Sequence, residues 1–151
     1  MRIISGSNKG KKLIMPKDKT TRPLKDMAKE SIFNILTHAN YINFQLKDSN
    51  VLDLFSGIGS FGLECISRGS KFVFFFENYP PVLKILKNNI LNLKYDNKSK
   101  VIDIDAFKIN KNIFKENQKF QIIFCDPPYK EKKIKLLLEN MIEMDVLDKN
   151  G

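Results

Sequence analysis

Two groups of residues have the types and spacing to do chemistry. The first is Gly57-x-Gly59-x-x-Gly62, directly after the apolar run Val51–Phe55. Glycines let the backbone turn tightly and come close to a ligand, and the N-terminus of a following helix favours negative charge. Asp53 and Phe55 lie at the end of the strand that leads into this turn, and Glu77 ends the next apolar segment, 24 residues after Asp53. A carboxylate there can accept hydrogen bonds from both ribose hydroxyls of a nucleoside-containing cofactor. This pattern suits NAD and S-adenosylmethionine equally, and an ordinary strand-to-helix turn also uses glycine. The second group is Asp126-Pro127-Pro128-Tyr129. Two prolines fix φ and remove two N–H donors, so the turn aims the Asp126 carboxylate and the Pro127 carbonyl into one pocket as paired acceptors. An aromatic ring follows at once. Two acceptors and a flat ring suit a planar base with an exocyclic amino group, the ring stacking on the base and the acceptors holding the NH₂. Such a turn favours S-adenosylmethionine over NAD as the cofactor.

These residues need a scaffold that gathers strand ends. Val51–Phe55, Phe72–Phe76, Val101–Ile104 and Phe120–Cys125 read as strands, all mainly apolar, and Phe72–Phe76 is apolar throughout as strands buried on both faces are. Between them the spacing predicts a helix from Leu63 to a stop at Gly69, one from Pro80 through Leu93, one over Phe107–Lys119, and a last amphipathic helix over Ile134–Met144. Before them, Pro23 opens a helix with Leu24, Ala28, Ile32, Ile35 and Leu36 at helical spacing, ending near Asn40. Residues 1–22 read as a small basic hairpin or arm. Alternating strands and helices predict an α/β fold, a doubly wound, mainly parallel sheet with ligands bound outside the carboxyl ends of its strands. The division expected is an N-terminal basic extension and helix over 1–40 and a core over 41–151. Phe72–Phe76 is expected in the core rather than as a stacking platform, His38 as a helix-end or surface residue, and Cys125 as packed.

With 151 residues, 42% hydrophobic and 28% charged, the chain is long enough for one globular domain. No apolar run is long enough to span a bilayer and no signal peptide is present, so no membrane association is expected. Two cysteines cannot frame a disulfide scaffold, and no Cys/His spacing suits a metal; a soluble, reducing, cytoplasmic setting is expected. The net charge is +9, carried by 23 Lys and 3 Arg. Residues 1–30 hold nine positive and three negative side chains, so +6 of the +9 lies in a fifth of the chain. A biased codon pool would spread the charge; this concentration points to a polyanion such as nucleic acid.

The motifs Val51–Gly62 and Asp126–Tyr129 resemble those of class I S-adenosylmethionine-dependent amino-methyltransferases. Met1–Gly6, Lys9-Gly10-Lys11-Lys12-Leu13, Thr21-Arg22-Pro23, Glu30–Leu36 and Leu63-Glu64-x-x-Ser67-Arg68-Gly69 resemble the RsmD family. That family consists of bacterial enzymes that methylate N2 of one guanine in 16S ribosomal RNA. The resemblance runs from Met1 to Gly151, with departures at Leu24 and Met27. It implies a Rossmann-like class I methyltransferase core and catalysis at Asp126, Pro127, Pro128 and Tyr129. It implies cofactor contacts from Asp53, Phe55, Gly57, Gly59, Glu77, Asp105 and Ala106, the last two beside the adenine amino group. It also implies phosphate contacts from Arg2, Lys9, Lys11, Lys12 and Arg22, no metal, and a monomer acting on a 30S assembly particle. The family pattern continues past Gly151 with a fifth strand and a terminal strand pair. The sequence is therefore expected to be part of a longer protein, with Phe120–Cys125 a long apolar edge in its absence. Three other readings use the same residues: an adenine-N6 methyltransferase on DNA or RNA, an NAD-dependent oxidoreductase, and a non-catalytic RNA-binding assembly factor. Calorimetric titration with S-adenosylmethionine and NAD separates them.

Overall fold

Strands covered on both faces favour apolar side chains, and the apolar segments pair into one sheet, with Asp53 a buried exception in the first of them. The computed structural model describes residues 1–17, 26–38, 45–128, 130–149 and 151. Its strands are β1 (Asn50–Leu54), β2 (Phe72–Phe76), β3 (Ser99–Ile102) and β4 (Ile122–Cys125), all parallel, in the order β3-β2-β1-β4. The register brings Leu54, Phe76, Ile102 and Cys125 level at the carboxyl end. The helices are α1 (Asp26–His38), α2 (Ser60–Ser67), α3 (Pro80–Leu93) and α4 (Ile134–Glu143). Alternation along the strands makes two cores. Val51, Val73, Phe75 and Ile122 meet α1, α2 and α3 on one face. Leu52, Leu54, Phe74 and Phe76 meet Leu137 and Met141 of α4 on the other. This is the doubly wound, parallel, Rossmann-like α/β architecture expected from the sequence. No helix among the described residues is long and apolar enough to cross a membrane.

The basic N-terminus is a hairpin, closed by an antiparallel bridge between Arg2 and Lys12 and a hydrogen bond from Ile3 N–H to the Lys11 carbonyl at 2.9 Å. It is sewn to the core. Ile3 and Leu13 are buried among residues of α2 and α3. Ser7 N–H donates to the Ser67 carbonyl at 2.8 Å, and Asn8 Nδ2 to the Leu93 carbonyl at 3.1 Å. The firmest tie is Glu64 of α2, which is 0% exposed. Its Oε2 accepts Ile4 N–H at 2.7 Å, and its Oε1 accepts Ser5 N–H at 2.9 Å and Arg68 Nε at 2.8 Å. Lys29 of α1, also fully buried, sits 3.5 Å from Oε2 and donates to the Arg2 carbonyl at 2.8 Å. Burial lowers the Lys29 pKa, and the charge of Glu64 opposes that shift.

Several boundaries differ from the sequence reading, each for a local reason. On α1 the buried residues are Lys29 and Phe33, whereas Ala28 and Ile35 face solvent. The helix is turned so that Lys29 reaches Glu64 and Phe33 stacks on Phe61 at 5.2 Å, with the Arg68 guanidinium over its ring. The helix start at Pro23 and end near Asn40 lie outside the described residues. Strand β3 begins and ends two residues earlier than expected, because Glu77 N–H takes the Ile102 carbonyl and ends the ladder, leaving Ile104 partly exposed. The helix expected over Phe107–Lys119 is instead two 3₁₀ turns, Ala106–Lys108 and Lys111–Ile113. The side chains of Asp105 and Asn110 accept the N–H groups of Phe107 and Asn112, and local bonds of this kind compete with helix. Strand β4 starts at Ile122. Its approach is less open than expected, because Phe120 bridges Leu147, with Phe120 N–H on the Val146 carbonyl and Asp148 N–H on the Phe120 carbonyl, both at 2.8 Å. The stop of α2 at Gly69 falls where expected, with Gly69 and Ser70 N–H closing onto the Ile66 and Cys65 carbonyls.

Removing a buried carboxylate that satisfies four donors leaves a buried lysine without its countercharge and two backbone amides without an acceptor. Glu64→Leu should therefore cost about 3–5 kcal/mol in urea unfolding. Lys29→Met should cost clearly less, since three donors still hold the carboxylate. Equal losses for the two variants would show that the hairpin amides contribute nothing.

Candidate functional site

The carboxyl ends of the four strands carry the residues singled out by spacing. After β1 the backbone turns at Phe55 (φ 58°) and Gly57 (φ 56°) and enters α2 through Gly59 (φ 84°). A Cβ at Gly57 would meet no atom within 4 Å, so this residue opens onto free space. A Cβ at Gly62 would lie 2.8 Å from Phe75 Cζ and Val73 Cγ1. Gly62 therefore serves close packing of α2 on β2, and only the first part of the glycine pattern faces a possible ligand.

Glu77 is half-buried at the end of β2. Its Oε2 accepts Gly57 N–H at 2.9 Å and its Oε1 accepts Tyr79 N–H at 2.8 Å. The carboxylate thus fixes the glycine turn to the start of α3. Each oxygen has a further lone pair for a hydroxyl donor. Asp53 is 2% exposed and accepts Gly62 N–H on Oδ2 at 3.0 Å, so it holds the start of α2 from beneath. Burial pushes its pKa up to about 8, the Gly62 hydrogen bond opposes this, and the charges of Asp126 and Glu77 add to the rise. The strands that carry these three carboxyls are neighbours in the sheet, in the order β2-β1-β4. Phe55 stands against Phe107, ring centroids 5.1 Å apart, beside Asp105 and the buried Ala106 after β3.

After β4, Asp126 is exposed, Pro127 half-buried and Pro128 exposed. The Pro128 carbonyl accepts Glu131 N–H at 3.0 Å, while among the described residues no donor meets the Pro127 carbonyl. Cys125 is half-buried, and burial followed by the Asp126 charge raises its pKa. Tyr129 and Arg22 lie outside the described residues.

The basic residues are not gathered at this site. Lys9, Lys11 and Lys12 are exposed on the hairpin with Arg2. The turn that carries Lys9 rests on the Ser67 and Leu93 carbonyls, at the C-terminal ends of α2 and α3. It is therefore removed from the strand ends by roughly the length of α2, about 12 Å at 1.5 Å per residue. The two limbs of the hairpin run back toward the glycine turn, where Ser60 Oγ lies 3.3 Å from Met1 Sδ.

Three residues that organise the structure around the site had no role assigned from sequence: Lys29, Asn89 and Glu64, the last named only within a motif. Each is a polar residue within an apolar helical stripe, and each is buried. That interruption is the signal available in the sequence.

The family described as Conserved hypothetical protein 95, the RsmD family, matches residues 1–151. The chain belongs to this family. Ribosomal RNA small subunit methyltransferase D of Haemophilus influenzae is 37% identical over 146 residues, spanning 93% of this chain and 72% of that protein. The protein of the same name from Escherichia coli K12 is 31% identical over 144 residues, covering 93% and 68%. Among solved structures, yhhF from Escherichia coli superposes with a TM-score of 0.79 at 26% identity, covering 98% of this chain and 75% of that one. In this RsmD-family chain the glycine turn, Glu77 and Asp126 lie at the carboxyl ends of the neighbouring strands β1, β2 and β4, and strand order reverses between β1 and β4.

Asp53 takes up a proton on folding, which sets a sign for stability against pH. Its contribution is fully present below the unfolded value of 3.8 and is lost as pH rises to the folded value of about 8. Asp53→Asn keeps an acceptor for Gly62 N–H and does not titrate. The stability of the wild type relative to this variant should fall steadily between those two pH values in urea unfolding. A difference independent of pH would exclude a buried, protonated Asp53.

Proposed function

We propose that the protein transfers a methyl group from S-adenosylmethionine to the exocyclic N2 amine of a guanine in small-subunit ribosomal RNA. It acts as a cytoplasmic monomer on a 30S assembly particle. What supports this reading is the open glycine turn, bonded to the Glu77 carboxylate, at a strand end next to the one that leads into Asp126 and Pro127. The names of the relatives, small-subunit ribosomal RNA methyltransferases, support the substrate class. The N-terminal motifs of the RsmD family support guanine N2.

The residues fit the cofactor. The space a Cβ would fill at Gly57 is free, and Glu77 keeps lone pairs for ribose hydroxyls while tied to Gly57 and Tyr79. Phe55, Asp105 and Ala106 stand beside that turn to receive the base, and Asp53 supports it from below. When bound, S-adenosylmethionine supplies a sulfonium methyl group that is already a strong electrophile. The protein's task lies with the amine, whose lone pair is delocalised into the guanine ring. Hydrogen bonds from the amine to the Asp126 carboxylate and the Pro127 carbonyl localise that pair and orient it, which is proximity plus electrostatic positioning. Asp126 accepts the proton released as the amine is methylated. Pro128 keeps the turn rigid and Tyr129 stacks on the base. The target nucleotide must leave its stack to reach the strand ends. Arg2, Lys9, Lys11, Lys12 and Arg22 hold phosphates of the surrounding RNA.

The test is methyl transfer from labelled S-adenosylmethionine to undermethylated 30S particles, followed by nucleoside analysis. N2-methylguanosine is the expected product; N6-methyladenosine would transfer the reading to adenine, and no transfer with intact NAD binding would end it. Asp126→Ala should keep cofactor affinity and lose transfer. Glu77→Ala should weaken the cofactor by hydrogen bonds worth roughly 1.5–3 kcal/mol each, because a charged acceptor is removed.

A further inference from the structure

Helix α3 carries a fully enclosed amide, Asn89, 1% exposed between Leu86 and Ile90. Its Oδ1 accepts Ile14 N–H at 2.7 Å. Its Nδ2 donates to the Ile14 carbonyl at 3.2 Å and to the Ile58 carbonyl at 3.1 Å. Both N–H donors of the amide are therefore used, and on two different segments. Ile58 stands between Gly57 and Gly59 in the open turn. Ile14 follows directly on the hairpin limb that bears Lys11 and Lys12. Displacing the hairpin end breaks the Ile14 pair, and displacing the turn breaks the Ile58 bond. Either motion strands part of the same buried amide, so the two segments keep their relative position through one side chain.

We infer that Asn89 is a positioning residue that couples RNA held on the basic hairpin to the cofactor held on the glycine turn. This rests on the function proposed above. A ligand that orders one segment leaves less ordering for the ligand of the other, so each raises the other's affinity, by the same factor in both directions.

The test titrates S-adenosylhomocysteine into the protein by calorimetry, alone and with a saturating unmodified RNA stem-loop, for the wild type and Asn89→Ala. In the wild type, RNA should tighten S-adenosylhomocysteine about fivefold or more, and in Asn89→Ala the ratio should fall to about one. A purely structural role would lower stability or both affinities and leave the ratio unchanged. A wild-type ratio of one, or a wild-type ratio retained in Asn89→Ala, overturns the inference while leaving the proposed function standing. A wild type that binds neither probe removes the proposed function, and the inference with it. Hydrogen exchange on the wild type alone gives a second measurement if the variant fails to fold. RNA without cofactor should slow exchange of the Gly59 amide, which donates to the Ser56 carbonyl at 2.8 Å, and unchanged exchange overturns the coupling.

Discussion

A carboxylate sealed from water is costly unless donors surround it, and Glu64 is surrounded by four: Ile4 N–H, Ser5 N–H, Arg68 and Lys29. Much of the N-terminal structure follows from satisfying that group. The hairpin must lie against α2 because its own amides are the acceptor's partners. Helix α1 must turn Lys29 inward, which places Phe33 on Phe61 and Phe61 on Phe124, ring centroids 3.8 Å apart, two residues before Asp126. Arg68 completes both halves, bonding Glu64 and covering the Phe33 ring. A polar cluster that tolerates one arrangement of its donors fixes the pose of three segments that apolar packing alone would hold less specifically.

The strand ends have a different logic. Asp53, Glu77 and Asp126 bring acidic groups to neighbouring strand ends, and the high pKa of Asp53 follows from burial reinforced by the other two charges. Glu77 remains tied to two backbone amides, and Asp126 remains in solvent. The three carboxyls thus have three environments. One is buried and supports the turn, one is half-buried and joined to it, and one is exposed and able to meet a substrate. Environment divides these roles where residue type does not.

The parts of this arrangement legible in the sequence are those with local causes. Short, mainly apolar runs read as β1, β2 and β4 because burial on both faces favours them, and Gly69 and Pro80-Pro81 mark helix ends by backbone preference alone. The gathering of Gly57, Glu77 and Asp126 followed from the rule that a parallel sheet collects its loops at one end. What stayed hidden depends on partners distant in the chain. Nothing near Lys29 announces that it faces a carboxylate 35 positions away, so the apolar spacing put Ile35 on the core side with Ile32 and Leu36, whereas Ile35 is exposed and Lys29 is enclosed. Nothing near Phe107 announces that Asp105 and Asn110 turn back on their own backbone, so an apolar spacing read as helix became two short turns. The distance between Lys9 and the strand ends was likewise invisible, because it depends on which end of α2 the hairpin turn meets.

That distance constrains how the two charged regions can work together under the proposed function. The hairpin turn lies at the C-terminal ends of α2 and α3, where helix carbonyls point outward, while the strand ends carry carboxylates. A polyanion gains nothing by approaching those carboxylates as a backbone. Under the proposed function its phosphates meet the lysines along the hairpin, and a neutral base presenting N–H donors suits the Asp126 end. The separation of roughly 12 Å from turn to strand ends exceeds one phosphate step along an RNA strand. The lysine at the turn therefore meets phosphates more than one step away from the target base, and an extruded base is the part of the RNA that can meet Asp126. Basic residues placed along the flank, rather than around the strand ends, let phosphate binding set the register of the RNA while the acidic strand ends select what meets them.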